Sequence, residues 1–337
     1  MRGWFTRWFA LLAVVSACTG DSTDPSRIDI VVGPEVGHTD GAQRMFVDIA
    51  LDDGAPFLAL LDTGSTGLRV LPAASPTASA QATPAGPFSF DSGLQLNGVV
   101  DRARFQIGHF ATDTGIPIML IDAIRCTKEP CPADGHTAAD FTFDGALAIL
   151  GVGMRTTDAD DGVGDAIVQL PGAPGYIIEA PAYGGSTGTL QIDPDVADVS
   201  AFKTIQLGAL SNGVPLANGV TAWDDHSIPT CVTANSDNFC FGGMFDTGDP
   251  PINIEIKDYI GSKQPLPPGT VVDIALGNGG GLASYGFTVG NPAVAGVDEV
   301  VMRPRPQGTF INLGTSIFFR FDVFFDQVHG VIGLGPK

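Results

Sequence analysis

The sequence predicts an all-β protein built from two lobes. Its 337 residues suffice for about two domains, and only 16% of them are charged. The 44 Gly and 25 Pro, with little helical periodicity beyond the N-terminus, favour strands and turns over helices. One tripeptide, Asp-Thr-Gly, stands in an apolar setting at 62–64 and again at 246–248. Its presence in each half suggests that two carboxylates are brought together.

The predicted strands are short runs of alternating or continuous apolar residues. Examples are residues 45–51, 57–61 and 188–192, whose length and pattern are typical of strands in a packed sheet. Residues 73–86 are rich in Ala, Ser, Thr and Pro, which predicts a surface loop.

The N-terminus predicts export. Residues 1–17 combine two arginines with an apolar run that is too short for a permanent membrane span, as in a signal peptide. Residues 15–18, Val-Ser-Ala-Cys, resemble the lipobox of bacterial lipoproteins. The resemblance implies cleavage before Cys18, a lipid on its sulfur and a lipid-anchored protein of the bacterial cell envelope. Residues 18–27 would then be the acylated Cys and a flexible tether. A simple secretory signal cut nearby is the alternative.

The formal net charge of −20 argues against a nucleic-acid partner, because neutralising phosphates requires clustered Lys and Arg. The simple interpretation is an acidic, well-solvated surface. Adaptation to acidic or saline surroundings is the alternative.

Four cysteines remain beyond Cys18, and they form two close pairs. In an exported protein the local pairing, Cys126 with Cys131 and Cys231 with Cys240, is the simplest disulfide arrangement of the three possible. A zinc site is the alternative, but neither pair has C-x-x-C spacing and the five His are scattered. We therefore expect no metal and no cofactor.

The two lobes are predicted at residues 28–195 and 196–337. Each contains one apolar Asp-Thr-Gly and a later apolar segment that reaches Gly, at 148–153 and at 311–314. This order forms a weak internal repeat, visible as a pattern rather than as identity. The turn-rich stretch 183–188 marks the boundary.

Residues 60–70, with their Asp-Thr-Gly-Ser between apolar strands, resemble the first catalytic block of the pepsin-like aspartic peptidases. Residues 310–334 resemble the closing segment of that family, and residues 144–153 resemble the matching element of its first lobe. The sequence around Asp62 further resembles that of a bacterial branch of secreted proteins. The resemblance implies a two-lobed acid-protease fold of mostly antiparallel strands with few short helices. It also implies a monomer that acts on a peptide or protein substrate.

The resemblance further implies that Asp62 and Asp246 form a catalytic dyad. Two neighbouring carboxylates in a desolvated cleft share a proton, which lets the ionised member activate water while the protonated one polarises the substrate carbonyl. The residues with implied supporting roles are Thr63, Gly64, Ser65, Thr247 and Gly248. For each Asp alone, a turn carboxylate satisfied by local N–H groups remains the alternative. A third copy at 113–115 lacks the apolar approach strand and predicts an ordinary turn.

Two features depart from the family pattern. Gly248 is followed by Asp249-Pro250-Pro251, where the family has a hydroxyl residue and an apolar strand. The candidate flap, the hairpin 88–98, contains no Tyr. Its tip residues, which would cover the cleft, are Phe90, Asp91, Ser92 and Gly93.

These features leave two functions open. The first is an aspartic endopeptidase that hydrolyses peptide bonds through a water activated by the dyad. The alternative is a catalytically impaired lipoprotein of the same fold, which binds peptide or protein in the cleft between the lobes.

Overall fold

A computed structural model describes residues 24–34, 42–157, 160, 162–173, 175–216, 218–292, 296–297 and 299–337. The predicted signal peptide, Cys18 and most of the tether lie outside these ranges. The all-β prediction is confirmed, with 46% of the described residues in strands and 5% in helix. Among the described residues, no helix has both the length and the apolar character needed to cross a membrane.

The strands follow one another along the whole described chain, with few helical turns between them. In the first half they are β1 (Arg27–Pro34), β2 (Gln43–Leu51), β3 (Phe57–Asp62), β4 (Thr66–Val70), β5 (Thr83–Pro84), β6 (Phe88–Ser89), β7 (Leu94–Ala103), β8 (Phe105–Ile107), β9 (Phe110–Ala111), β10 (Ile116–Cys126), β11 (Ala148–Val152), β12 (Gly175–Glu179) and β13 (Thr187–Ile192). In the second half they are β14 (Lys203–Gln206), β15 (Ile228–Ala234), β16 (Asp237–Met244), β17 (Ile252–Ile256), β18 (Gln264–Pro265), β19 (Val271–Leu276), β20 (Ala283–Thr288), β21 (Val300–Pro304), β22 (Phe310–Asn312), β23 (Phe321–Asp326) and β24 (Val331–Pro336). The described helices are α1 (Val196–Val199) and the 3-10 turns Ile167–Gln169, Asn278–Gly280 and Gly314–Ile317.

The two halves repeat one pairing scheme. In the first, β11 runs parallel to β3 and antiparallel to β4, while β10 is parallel to β4 and antiparallel to β7. In the second, β22 runs parallel to β16 and antiparallel to β17, while β21 is parallel to β17 and antiparallel to β18. Each Asp-Thr-Gly lies just before the matching strand, β4 or β17. The weak repeat in the sequence therefore corresponds to a repeat of topology.

A shared sheet joins the two halves. Its strands run in the order β14-β24-β23-β12-β13-β1, so the pair from the end of the first half lies beside the last two strands of the chain. At the junction, Tyr176 of β12 stacks on Phe325 of β23 with ring centroids 5.1 Å apart. Gly175 is required here, because a Cβ at this position would lie 2.0 Å from the Phe325 carbonyl oxygen.

The largest hydrophobic core runs through both halves. It includes Leu61 and Ile178 from the first and Ile254 and Phe325 from the second, all almost completely buried. Apolar burial at roughly 25 cal/mol per Å² is the main force that holds such sheets together. The strands that carry the Asp-Thr-Gly turns thus rest on one continuous core.

Both predicted disulfides are confirmed. Cys126 bonds to Cys131 and Cys231 bonds to Cys240, each closing a short local loop. The first loop also contacts the tip of the β6–β7 hairpin, where the Thr127 N–H donates to the Gly93 carbonyl at 2.8 Å. This disulfide therefore lies in the segment that supports the candidate flap.

Asp165 and Asp225 are buried carboxyl groups outside the repeated turns. Asp165 accepts a hydrogen bond from the Ile167 N–H at 2.7 Å, and Asp225 accepts one from the Met154 N–H at the same distance. Burial, which disfavours the charged form, raises the pKa of Asp165 well above its ordinary value and that of Asp225 from 3.8 to about 7. At acid pH both groups can stay neutral.

We predict that the protein loses stability as the pH rises from about 4 to about 7. In this range the unfolded state releases its carboxyl protons while folded Asp225 keeps its own, so each such group lowers the free energy of unfolding by about 1.4 kcal/mol per pH unit. Urea unfolding at pH 4 and pH 7 measures the effect. Asp225→Asn should reduce the difference, whereas the control Asp113→Asn, in an exposed turn, should not. An equal pH dependence in Asp225→Asn and wild type would contradict the prediction.

Candidate active site

Asp62 is the last residue of β3, and the turn that follows it satisfies its carboxylate. The Gly64 N–H donates to Oδ1 at 2.9 Å, and the Ser65 hydroxyl donates to Oδ2 at 2.5 Å. The side chain is buried, with Asp62 only 4% exposed. An apolar strand ending in a Gly turn thus delivers a carboxylate into a site that little water reaches.

Asp246 follows β16 and is held in nearly the same way. The Gly248 N–H donates to its Oδ1 at 2.8 Å. Its Oδ2 accepts a hydrogen bond from the Asn312 side-chain amide at 2.7 Å, so the second oxygen is satisfied by a residue of β22 rather than by the turn. Asp246 is 6% exposed.

The two glycines let each carboxylate lie against the opposite turn. A Cβ on Gly64 would lie 2.3 Å from Asp246 Oδ1, and a Cβ on Gly248 would lie 2.3 Å from Asp62 Oδ1. The same point on Gly248 is 3.1 Å from Asp246 Oδ1, so both carboxylates border it. Any larger residue at 64 or 248 would occupy the space of a carboxylate. The structure therefore brings both predicted Asp residues together.

The two Thr residues bind the turns to each other through four reciprocal hydrogen bonds. The Thr63 N–H donates to Thr247 Oγ1 and the Thr247 N–H donates to Thr63 Oγ1, both at 3.0 Å. The Thr63 hydroxyl donates to the Phe245 carbonyl at 2.8 Å, and the Thr247 hydroxyl donates to the Leu61 carbonyl at 2.6 Å. All of these groups are buried, which makes the geometry of the pair rigid.

The electrostatic environment of Asp246 disfavours its charged form. Burial, and then the negative charges of Asp62 and Asp249, raise the pKa of Asp246 well above its ordinary value. Burial also raises the pKa of the half-buried Asp249, to about 6, against the opposing effect of nearby positive charges. Asp246 therefore favours its protonated form, and the pair shares a proton.

The two prolines after Asp249 delay the second strand. In the first lobe β4 begins at Thr66, directly after Ser65. The equivalent strand of the second lobe, β17, begins only at Ile252. Pro250 and Pro251 precede the ladder, as expected for residues that cannot donate to it. The Pro250 carbonyl instead accepts a hydrogen bond from the Thr315 hydroxyl at 3.2 Å.

The predicted flap forms a hairpin between β6 and β7, with Ser89 opposite Gln95. Gly93, at φ +90°, completes the turn. Phe90 is half-buried and packs edge to face on Phe88, with ring centroids 5.0 Å apart. Ser92 accepts a weak hydrogen bond from the Leu94 N–H at 3.4 Å.

The hairpin tip also reaches the second lobe. Asp91 pairs with Arg303 of β21, with Oδ2 3.3 Å from Nη2. Arg303 pairs as well with the buried Glu255 of β17. Because Asp91 is largely exposed, this contact is weak and can open.

Four polar residues at the site were missed by the sequence reasoning: Arg44, Arg69, Asn253 and Asn312. Arg44 of β2 donates to the Gly248 carbonyl, which connects the first lobe to the second turn. The strand patterns offered one signal for such residues, namely a polar side chain at a position where an apolar one is expected.

Arg69 is the clearest of these cases, because it stands inside an apolar strand and is 1% exposed. Its guanidinium lies 3.4 Å from the ring centroid of Phe88, and its Nη2 lies 3.5 Å from Asp160 Oδ1. Burial lowers the pKa of Arg69 to about 10, so it remains charged at neutral and acid pH. It connects the strand after Asp62 to the base of the hairpin.

The third Asp-Thr-Gly, at 113–115, lies in the connection between β9 and β10, where Asp113 and Thr114 are exposed. The part of the chain that the structure describes contains no group of three or more His, Cys, Asp or Glu suited to a metal ion. Comparisons with models of protein families and with curated proteins give no match for this chain.

We predict that Thr63→Ala and Thr247→Ala each destabilise the protein by about 1–3 kcal/mol, since each leaves buried N–H and C=O groups without partners. The double variant should lose less than the two single losses together, because both Thr belong to one network. Urea unfolding of the four proteins measures this cycle. Strictly additive losses would show that the reciprocal network does not act as a unit.

Proposed function

We propose that this protein is an aspartic endopeptidase. The observation that carries the proposal is the pair of buried carboxylates, Asp62 and Asp246, each placed against the other's Gly turn. Two carboxyl groups so arranged share a proton and provide an acid and a base at one point.

In the proposed reaction, Asp62 accepts a proton from a water molecule whose oxygen attacks the carbonyl carbon of the scissile peptide. Asp246 gives its proton to the carbonyl oxygen, which yields a tetrahedral diol. When this intermediate collapses, the C–N bond breaks and the proton on Asp62 passes to the leaving nitrogen, while a diol hydroxyl returns its proton to Asp246. The raised pKa of Asp246 supports its assignment as the initial acid.

The substrate is proposed to be an extended peptide that lies between the lobes, under the β6–β7 hairpin. The contact between Asp91 and Arg303 joins the hairpin to the second lobe, so it must open or shift when a chain enters. Because Asp91 is exposed, breaking this ion pair costs little free energy.

A second candidate function is the binding of a peptide or protein without cleavage. The half-buried Asp249 favours it, because a third carboxyl group near the pair makes the dyad costlier to ionise.

An acid-pH cleavage assay tests the proposal. Protein lacking residues 1–18 should cleave an unfolded protein substrate, and Asp62→Asn should lower the rate by about 10²- to 10⁴-fold, since it removes the general base. Asp113→Asn, altered in the exposed third copy of the motif, is the matched control and should retain full activity. Cleavage that survives in Asp62→Asn would exclude this site as its source. Binding of the substrate by wild type without cleavage would favour the second candidate function.

We also propose that the protein is exported and held in the bacterial envelope by a lipid on Cys18. The two disulfides support an oxidising location. Mass spectrometry of the mature protein should find Cys18 as a lipid-modified N-terminal residue. Cys18→Ser should release the protein from the membrane fraction. An unmodified mature N-terminus would contradict the anchor.

A further inference from the structure

The repeated topology shows where the second turn differs from the first. Arg69 of β4 is opposite Ile149 of β11, and Asn253 of β17 is opposite Asn312 of β22. Ile149-Leu150-Gly151 and Asn312-Leu313-Gly314 thus hold equivalent places. Where the first lobe has a buried apolar side chain, the second has an amide that reaches the dyad.

A second difference lies in the turn itself. The residue after Gly64 is Ser65, whose hydroxyl donates to Asp62. The residue after Gly248 is Asp249, whose Oδ2 accepts hydrogen bonds from Asn253 and Asn312 instead of donating one to Asp246. The Asn312 amide supplies the missing donor, at 2.7 Å from Asp246 Oδ2. Asn312 in place of Ile149 therefore compensates for Asp249 in place of Ser65.

The orientation of Asn312 is determined by its neighbours. Its Oδ1 accepts a hydrogen bond from the Gly314 N–H at 2.9 Å, which directs the NH₂ group to the carboxylates. Besides Asp246, this NH₂ group donates to Asp249 Oδ2 at 3.2 Å, and Asn253 donates to the same oxygen at 2.7 Å. Asn312 is 3% exposed. One buried amide thus bridges a member of the dyad and a third carboxyl group.

Resting on the proposed peptidase function, we propose that Asn312 is the positioning residue for Asp246 and that the charge on Asp249 sets the pH range in which the dyad keeps its proton.

The charges around Asp249 determine when this effect operates. Burial and the negative charge of Glu255 oppose its ionisation, whereas Arg303, Arg44 and Lys263 favour it. The net result is a pKa of about 6 for Asp249. Above that pH an additional negative charge lies beside Asp246, so the dyad releases its shared proton only at a higher pH.

The chain itself supplies the variants for a test. Asn312→Ile copies Ile149 and removes the donor, and we expect kcat to fall about 10- to 100-fold with KM within about twofold, the size expected for a lost hydrogen bond to a charged group. The double variant Asn312→Ile/Asp249→Ser copies both Ile149 and Ser65 and should restore kcat to within about threefold of wild type. Urea unfolding checks that each variant is folded. A folded Asn312→Ile with wild-type kcat, or a folded double variant no better than the single one, would overturn the positioning role.

The pH profile tests the role of Asp249. Asp249→Asn removes the charge without changing the shape of the side chain, and it should shift the upper limb of the kcat profile to lower pH by roughly one unit. An unshifted limb would overturn this part of the proposal.

A measurement that needs no activity separates this inference from the proposed function. The Asp246 carboxyl can be titrated by carbon NMR in wild type, Asn312→Ile and Asp249→Asn. Loss of the donor should raise the midpoint of Asp246, and loss of the Asp249 charge should lower it. Unchanged midpoints would overturn the inference even if the protein cleaves peptides. Shifted midpoints in a protein without cleavage would support the inference while the proposed function fails.

Discussion

The reciprocal hydrogen bonds between Thr63 and Thr247 hold two buried carboxylates together, and the arrangement of the rest of the site depends on them. Asp62 and Asp246 repel each other when both are ionised, and burial strengthens that repulsion. Four buried bonds between the turns oppose any separation. The fold positions the turns by pairing the strand that leads into each, β3 or β16, with a parallel strand of its own lobe, β11 or β22, on one continuous core.

Within this symmetric frame the two carboxylates have different surroundings. Asp62 accepts a hydrogen bond from a hydroxyl of its own turn. Asp246 accepts one from an amide of β22 and lies near Asp249. The positive groups of Arg44 and Arg303 approach from different elements and offset part of the acidic charge. Such asymmetry is what separates an acid from a base in a pair of identical side chains. The difference arises where Asp249 stands in place of Ser65 and Asn312 in place of Ile149. The Asn312 amide contacts both Asp246 and Asp249.

The hairpin joins the strand after Asp62 to the second lobe. Its base rests on Arg69, which comes from the strand after Asp62, and its tip touches the Cys126–Cys131 loop and Arg303. Asp91 and Ser92 at the tip are exposed, so they are the part that can respond to a ligand. The shared antiparallel sheet beneath both halves provides the fixed platform for such a response.

The sequence by itself determined the strand-rich architecture, the two disulfide pairs and the prediction that Asp62 and Asp246 lie together, because each of these follows from local signals. Gly and Pro content, strand-length apolar runs and a short cysteine spacing act over a few residues. The tertiary structure alone decided how the carboxylates are supported. Asn312 and Arg44 reach the second turn from strands far away in the chain, and no local pattern shows which polar side chain in an apolar strand points to a distant carboxylate. The sequence showed Asp249 as a departure, but only the packing of β17 against β22 revealed that an amide compensates for it. Hydrogen bonding in a buried site depends on which groups meet after folding, and that is set by the pairing of strands rather than by their composition.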